Sequence, residues 1–354
     1  MTFRSALRTT IIVFMIVSAG YGAYWVYART VAERIVLEWI EARRHDGYRI
    51  EHAPIDMDGF PFLVRATLDI PLVAPLAASG KSAEWIWQGG RLTVESQPWR
   101  LDQIRVEAFG GQTVTMKVAG REGRQIHHYV GETVGVLHLT RGQPQRVAIT
   151  ARKFQWRGPD EATLLSGRDL SIWAVAPDTP PKSHRDPLVS ISISGADLVM
   201  PPDRAAPFGP KLEKLIGVTR VLGRVRLGDP NAAIEAWRRD GGAVNIDDLQ
   251  IVWGPLDLKA SGTLALDEQT RPLGAFSADI RGFTHVVDSL VAGGIIENGA
   301  AAMAKIGLGL LAKPAKDGGP PILSIPLTAQ NGRLYAGPIK ILDLPTLRIP
   351  ARSP

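Results

Sequence analysis

Asp56-Met57-Asp58 sets two carboxylates one residue apart, directly before Gly59-Phe60-Pro61-Phe62. An acidic pair at that spacing followed by glycine is how a calcium loop begins, with alternate side-chain oxygens converging on a hard cation. The later oxygen ligands and closing glutamate of such a loop do not follow; Phe-Pro-Phe stands in their place. The preferred reading is structural. In an extended segment Asp56 and Asp58 share the solvent face, Ile55 and Met57 turn inward, and Asp58, Gly59, Phe60, Pro61 and Phe62 make the first corner of a sheet.

His127-His128 is the other pair with metal-ligating chemistry. Neighbouring residues of a strand point to opposite faces, so the two imidazoles do not converge on one ion. The absence of cysteine excludes disulfides, thiolate zinc sites and thiol catalysis together. Ser166-Gly167-Arg168-Asp169 lacks the Gly-x-Ser-x-Gly elbow, and Gly307-Leu308-Gly309 lies too far from a strand for a dinucleotide loop. Gly80-Lys81-Ser82 has Pro75 where the Gly-x-x-x-x-Gly-Lys-Ser phosphate cradle needs its first glycine, so the full cradle does not occur. The expectation is a non-enzymatic chain, with no catalytic, metal or cofactor site.

The elements that position these residues begin with a long apolar run. Thr9 to Ala28 carries no charge over twenty residues, about 30 Å of helix, and Arg4 and Arg8 precede it. Ile11, Ile12, Val13, Phe14, Ile16 and Val17 form its centre, and Tyr21, Tyr24, Trp25 and Tyr27 crowd its far end, where amphipathic rings prefer the headgroup level. This is a membrane anchor with its basic end in the cytoplasm, which makes the lipid bilayer its first partner. Small residues Ser18, Ala19, Gly20 and Gly22 keep a cleaved signal peptide as the competing reading. Residues 29–47 continue as a helical stalk, with Val31, Ile35, Val36, Trp39 and Ile40 at helical spacing, Thr30 able to cap it and Gly47 able to end it.

From Tyr48 the period changes from helix to strand. Phe62, Val64, Ala66, Leu68, Ile70 and Leu72 alternate with more polar neighbours, and similar runs recur at 85–94, 104–108, 114–118, 134–139, 147–151, 170–175, 188–193 and 221–227. With 36 glycines, 26 prolines and 45% hydrophobic residues in 354, the chain reads as mainly β, a large antiparallel and curved or groove-forming sheet with a few packing helices. Helices are expected at 230–240, opened by Pro230 and closed by Gly241-Gly242, and at 285–312, the latter a bent or paired helix with Gly293-Gly294 in its middle, buried against the sheet or across its open end. Residues 177–187 are the candidate linker between a first β-rich half, 48–176, and a second, 188–354. The net charge of +6 is spread without a basic run, so no nucleic-acid partner is expected.

Trp85 and Trp87 share one strand face, and must both lie inside or both outside; they and Trp253, Leu256, Leu258, Leu264 and Leu266 are candidate groove or core positions. Asp248 to Phe283 alternates, turns and repeats, and Asn331 to Pro350 follows with an Asn-Gly turn and a Gly-Pro-Ile strand. With the anchor, its Tyr-Trp cluster and Gly59-Phe60-Pro61-Phe62, this resembles the alphaproteobacterial domain-of-unknown-function family twenty-one twenty-five over nearly the whole chain. Trp253-Gly254-Pro255 and the Gly262 strands more loosely resemble AsmA-like envelope proteins. The latter resemblance implies a bacterial inner-membrane anchor and a periplasmic curved sheet whose apolar face holds lipid-like molecules. The alternative is a structural or protein-interaction module of the envelope with a dry β core, since alternation alone does not say what an inward face meets.

Overall fold

The computed structural model describes residues 3–76, 85–118, 121–158, 162–201, 207–225, 230–336 and 339–347, with their side chains except those of 3–6, 116–131, 230, 339 and 341–342. The described chain is mainly β and antiparallel. It divides into two compact units, Met1–Pro144 with Trp156–Ala162, and Gln145–Gln155 with Thr163–Pro354. The boundary differs from the expected linker, because residues 176–186 connect two paired strands inside the second unit.

In the first unit α1 runs unbroken from Phe3 to His45. Thr30 therefore caps nothing; its hydroxyl donates back to the Val26 carbonyl at 3.0 Å, inside the helix. Gly47, at φ 86°, ends the helix in the left-handed conformation glycine adopts freely.

The strands that follow are β1 (Tyr48–Glu51), β2 (Asp56–Asp58), β3 (Val64–Asp69), β4 (Leu72–Pro75), β5 (Trp85–Gln88), β6 (Arg91–Gln97), β7 (Arg100–Phe109), β8 (Gly111–Val118) and β9 (Arg121–Thr140). Their registers join end to end. Ile50 pairs with Val73 and Met57 with Ala66, Val73 with Trp87 and Leu68 with Leu92, Trp87 with Val114 and Val94 with Val106, and β7 and β8 both pair with β9. These are five long antiparallel strands, four of them interrupted along one line at 52–55, Ile70-Pro71, Gly89-Gly90 and Gly110. The residues explain the crease. Ile70 sits at φ 49° before a proline that has no N–H, Gly110 sits at φ 79°, and a Cβ on Gly90 would lie 2.9 Å from the Phe109 carbonyl oxygen.

α1 covers one face of this sheet. Trp25, Ala28 and Ile40 form a core with Ile50, Met57, Val64, Ala66 and Leu68, and Val36, Tyr48, Val73, Leu92 and Val94 pack around it. The opposite face carries ion pairs of Arg65 with Glu95 at 3.1 Å and of Arg91 with Asp69 at 2.7 Å. The strand expected from Phe62 begins at Val64, and Phe62 and Ile70 are exposed rather than inward, one in the corner turn and the other on the crease.

The second unit is one antiparallel succession: β10 (Gln143–Arg157), β11 (Thr163–Val175), β12 (Pro187–Val199), β13 (Lys211–Leu222), β14 (Ala243–Trp253), β15 (Leu256–Leu266), β16 (Pro272–Arg281), β17 (Ile322–Gln330), β18 (Arg333–Ala336) and β19 (Ile339–Asp343). Of the run expected at 221–227, residues 226–227 lie outside the described residues; the strand lies mostly upstream and stops before Gly223, whose φ of 102° turns the chain. Between β13 and β14 stands α2 (Pro230–Arg239), pinned by Trp237, whose indole N–H donates to the Leu222 carbonyl at 2.7 Å. Between β16 and β17 stand α3 (Phe283–Ala292) and α4 (Asn298–Leu311), the paired form of the two that the apolar run admitted.

Candidate functional site

The registers of β11 to β17 place side chains in rows that cross seven strands. One row is Ile172, Ile193, Gly217, Leu249, Ala260, Ala278 and Ile325. The row two residues away is Leu170, Gly195, Leu215, Ile251, Leu258, Ile280 and Leu323. On the other side of the first run Ala174, Ile191, Thr219, Ile246, Gly262, Phe276 and Leu327. Only Thr219 in the three rows carries a side-chain polar atom, and its hydroxyl donates to the Ile191 carbonyl at 3.2 Å. A row of the opposite face holds Ser171, Ser194, Ile216, Gln250, Lys259, Asp279 and Ser324. There Lys214 donates to Gln250 at 2.9 Å, Ser324 to Asp279 at 2.6 Å, and Thr263 to Asn245 at 3.1 Å. The sheet has one hydrated face and one apolar face.

Cover over the apolar face is partial. α3 buries Phe283, Val286 and Val287, and Leu266, Ala278, Leu323 and Ala329 of the sheet are buried too. Most other positions of the three rows stay partly exposed, and Ile172 reaches 40%. α4 departs from its expected burial. It turns Ala301 inward and leaves Met303, Ile306, Leu310 and Leu311 exposed, Leu310 at 84%. Asp288 of α3 holds Lys305 of α4 in an ion pair, and the small Ala301 is the contact that the two-helix turn buries.

The structure gathers Leu256, Leu258, Leu264 and Leu266 on this apolar face beside Trp253, whose indole donates to the Gly209 carbonyl at 2.7 Å and meets Phe208 edge-on at 5.4 Å. Trp85 and Trp87 lie in the other unit and share a face. Both are half-buried, Trp85 against Tyr48 at 6.2 Å and Trp87 with its indole donating to Gln112 at 3.2 Å. Sequence reasoning missed the rows on β12 to β14 and β17. Alternation in each strand was visible there, but the registers that align Ile193 with Gly217 and Leu249 are not written in any single strand.

The anchor residues divide into two groups. Ile11, Ile12, Val13, Phe14, Ile16 and Val17 are exposed along α1, whereas Tyr21, Tyr24 and Trp25 hold the body: Tyr21 donates to the Pro61 carbonyl, Tyr24 to that of Pro98 at 2.7 Å, and Trp25 to that of Leu63 at 2.8 Å. Tyr27 points away, exposed. At the corner Met57 is buried between exposed Asp56 and Asp58, and Asp58 pairs with Arg65 at 3.3 Å. Gly59 has φ 105°, and a Cβ there would lie 2.7 Å from the Leu63 carbonyl oxygen, so the acidic pair flanks a glycine turn.

Among the described residues no three His, Cys, Asp or Glu side chains converge on a metal position; the His127 and His128 side chains lie outside them. Each resolved titration shift strengthens the charged form. The Arg220 guanidinium holds Asp247 below the usual carboxylate range, Arg281 does the same for Asp317, and backbone N–H groups of Ser183 and Lys182 do so for Asp186. That is the pattern of surface pairing.

Among the described residues, antiparallel strands in both units follow one helix long and apolar enough to cross a membrane, which defines a mainly β class of chain with an N-terminal apolar helix. The chain belongs to the bacterial family described as "Uncharacterized protein conserved in bacteria (DUF2125)", whose model matches residues 25–345. The match begins at Trp25, where α1 meets the body. No curated protein matches the chain.

Proposed function

We propose that this protein is a non-enzymatic, single-pass protein of the bacterial inner membrane, with its N-terminus cytoplasmic and its body periplasmic, that binds or conveys lipid-like amphipathic molecules along the apolar face of β11 to β17. The observation that carries this reading is the three apolar rows on a sheet whose opposite face is polar and whose helical cover is partial, α3 burying Phe283, Val286 and Val287 and α4 only Ala301. An apolar sheet face left in water is unfavourable by roughly 25 cal/mol per Å². Acyl chains remove that surface from water without needing hydrogen-bond partners, of which the rows offer almost none. The Arg4 and Arg8 end of α1 supports the orientation, and the AsmA-like resemblance agrees with the ligand class.

Mass spectrometry of the full chain released from mild detergent tests the reading. Phospholipid or another amphiphile should co-purify, and Ile251→Asp with Leu258→Asp, mid-face on neighbouring strands, should remove it while the fold persists by circular dichroism. A wild-type chain that never carries amphiphile ends the proposal. The second reading is an envelope interaction module, favoured by the exposed Met303, Ile306, Leu310 and Leu311 of α4. Crosslinking from α4 would then recover protein rather than lipid.

A further inference from the structure

The length of α1 outside the body is too short for a bilayer. Thr9 to Gly20 is exposed or nearly so and spans about 18 Å of helix, whereas a hydrocarbon core is about 30 Å thick. The missing distance, about 12 Å, equals the eight residues Tyr21 to Ala28. Those residues are already committed to the body through Tyr21, Tyr24, Trp25 and the buried Ala28. A spanning α1 therefore draws the body's edge down to the lipid.

That edge has the chemistry of a membrane interface. Two turns meet there, the Gly59–Leu63 corner and the Pro98-Trp99 tip between β6 and β7, and neither contains a charged residue. Phe60 is 60% exposed although its ring meets Trp25 edge-on at 5.4 Å, Phe62 is 68% exposed and Trp99 is 52% exposed. Pro98 beneath them is fully buried, so Trp99 is held outward on a fixed turn. Arg100 follows Trp99, exposed and within one residue of the ring, where a guanidinium reaches phosphate while its stem stays in apolar surroundings.

We infer that Phe60, Phe62 and Trp99 form an aromatic collar around the exit of α1 that inserts into the headgroup and upper acyl region of the same leaflet, with Arg100 at phosphate depth. The inference rests on α1 spanning a membrane. The collar fixes the first unit at the bilayer surface, at one end of the stretch of α1 from Tyr21 to His45, about 38 Å long.

The chain has no cysteine, so single cysteines can be placed without background. Phe62→Cys, Trp99→Cys, Ile12→Cys and Arg49→Cys of the full chain are labelled with an environment-sensitive fluorophore. They are then reconstituted into nanodiscs of phosphatidylethanolamine and phosphatidylglycerol containing shallow doxyl-labelled lipid. Ile12 reports the anchor and Arg49 the distant end of the unit. Labels at Phe62 and Trp99 should be quenched severalfold more than at Arg49, with Ile12 in lipid. Quenching at Ile12 with none at Phe62 and Trp99 overturns the collar and leaves the anchor standing; no quenching at Ile12 overturns both. Disulfide crosslinking of Phe62→Cys between copies in place of quenching also overturns it.

Discussion

Replacing Trp25 by alanine should detach α1 from the first unit. Trp25 is 9% exposed, stacks edge-on with Phe60 at 5.4 Å, donates to Leu63 at 2.8 Å, and belongs to the core of Val64, Ala66 and Leu68. Emptying a buried aromatic site costs about 3–5 kcal/mol, a total that contains the aromatic pair at about 0.5–1.5 kcal/mol and the hydrogen bond at about 1 kcal/mol. At about 1.4 kcal/mol per tenfold, Trp25→Ala should speed amide exchange at Val64, Ala66 and Leu68 by roughly a hundredfold to several thousandfold where exchange follows release of the helix. Trp25→Phe keeps the ring contact and leaves the Leu63 carbonyl unpaired, so it should lose about 1–2 kcal/mol. Trp39→Ala, on the exposed side of α1, should stay within about 0.5 kcal/mol of wild type. Hydrogen exchange of the full chain in detergent reads all three. Protection of β3 unchanged in Trp25→Ala would refute the claim that residues 21–28 belong to the body rather than to lipid alone.

Gly254 offers an independent check on the β14–β15 turn. Its φ is 52°, and a Cβ there would stand 2.2 Å from the Phe208 carbonyl oxygen, so Gly254→Ala should lower the melting temperature by the equivalent of about 1–3 kcal/mol; an unchanged melting temperature contradicts the turn geometry. Acid should weaken the surface pairing. Asp197, Asp247 and Asp317 are held below the ordinary carboxylate range by hydrogen bonds from Lys211, Arg220 and Arg281. Their contribution is thus present above the unfolded pKa, about 4, and is lost as pH falls through the lower folded values. Denaturation midpoints should be flat near neutrality and fall in acid, and a midpoint that rises on acidification through this window contradicts the pairing.

The period of the strands, the turn at Asn331-Gly332 and the start of α2 at Pro230 were legible because each is local. The turn has two consecutive positive φ values, as its Asn-Gly pair suggests. Asp56-Met57-Asp58 was legible for the same reason, its parity alone placing Met57 inward. What the residues did not disclose is non-local. Nothing around Thr30 distinguishes a cap from a helical threonine until the helix is seen to continue, and Phe62 fits the alternation of β3 while standing outside it. The exposure of Met303, Ile306 and Leu310 on α4 depends on how α3 and α4 pack together and on the sheet, which turns only Ala301 of α4 fully inward.

The choice between a groove and a filled core is of the same non-local kind. Alternation in β15 puts Leu256, Leu258, Leu264 and Leu266 on one face, and a sandwich strand would do the same. Register adds what alternation lacks. Because seven strands keep three apolar rows in line, every strand enlarges the same apolar surface, while the cover supplied by α3 is fixed at Phe283, Val286 and Val287. A sheet that grows by one-layer addition outruns a ten-residue helix. The surplus surface is therefore a property of the topology rather than of any residue, and under the lipid-binding proposal substitutions at single positions of the face should lower co-purifying amphiphile less than paired changes on adjacent strands such as Ile251 and Leu258.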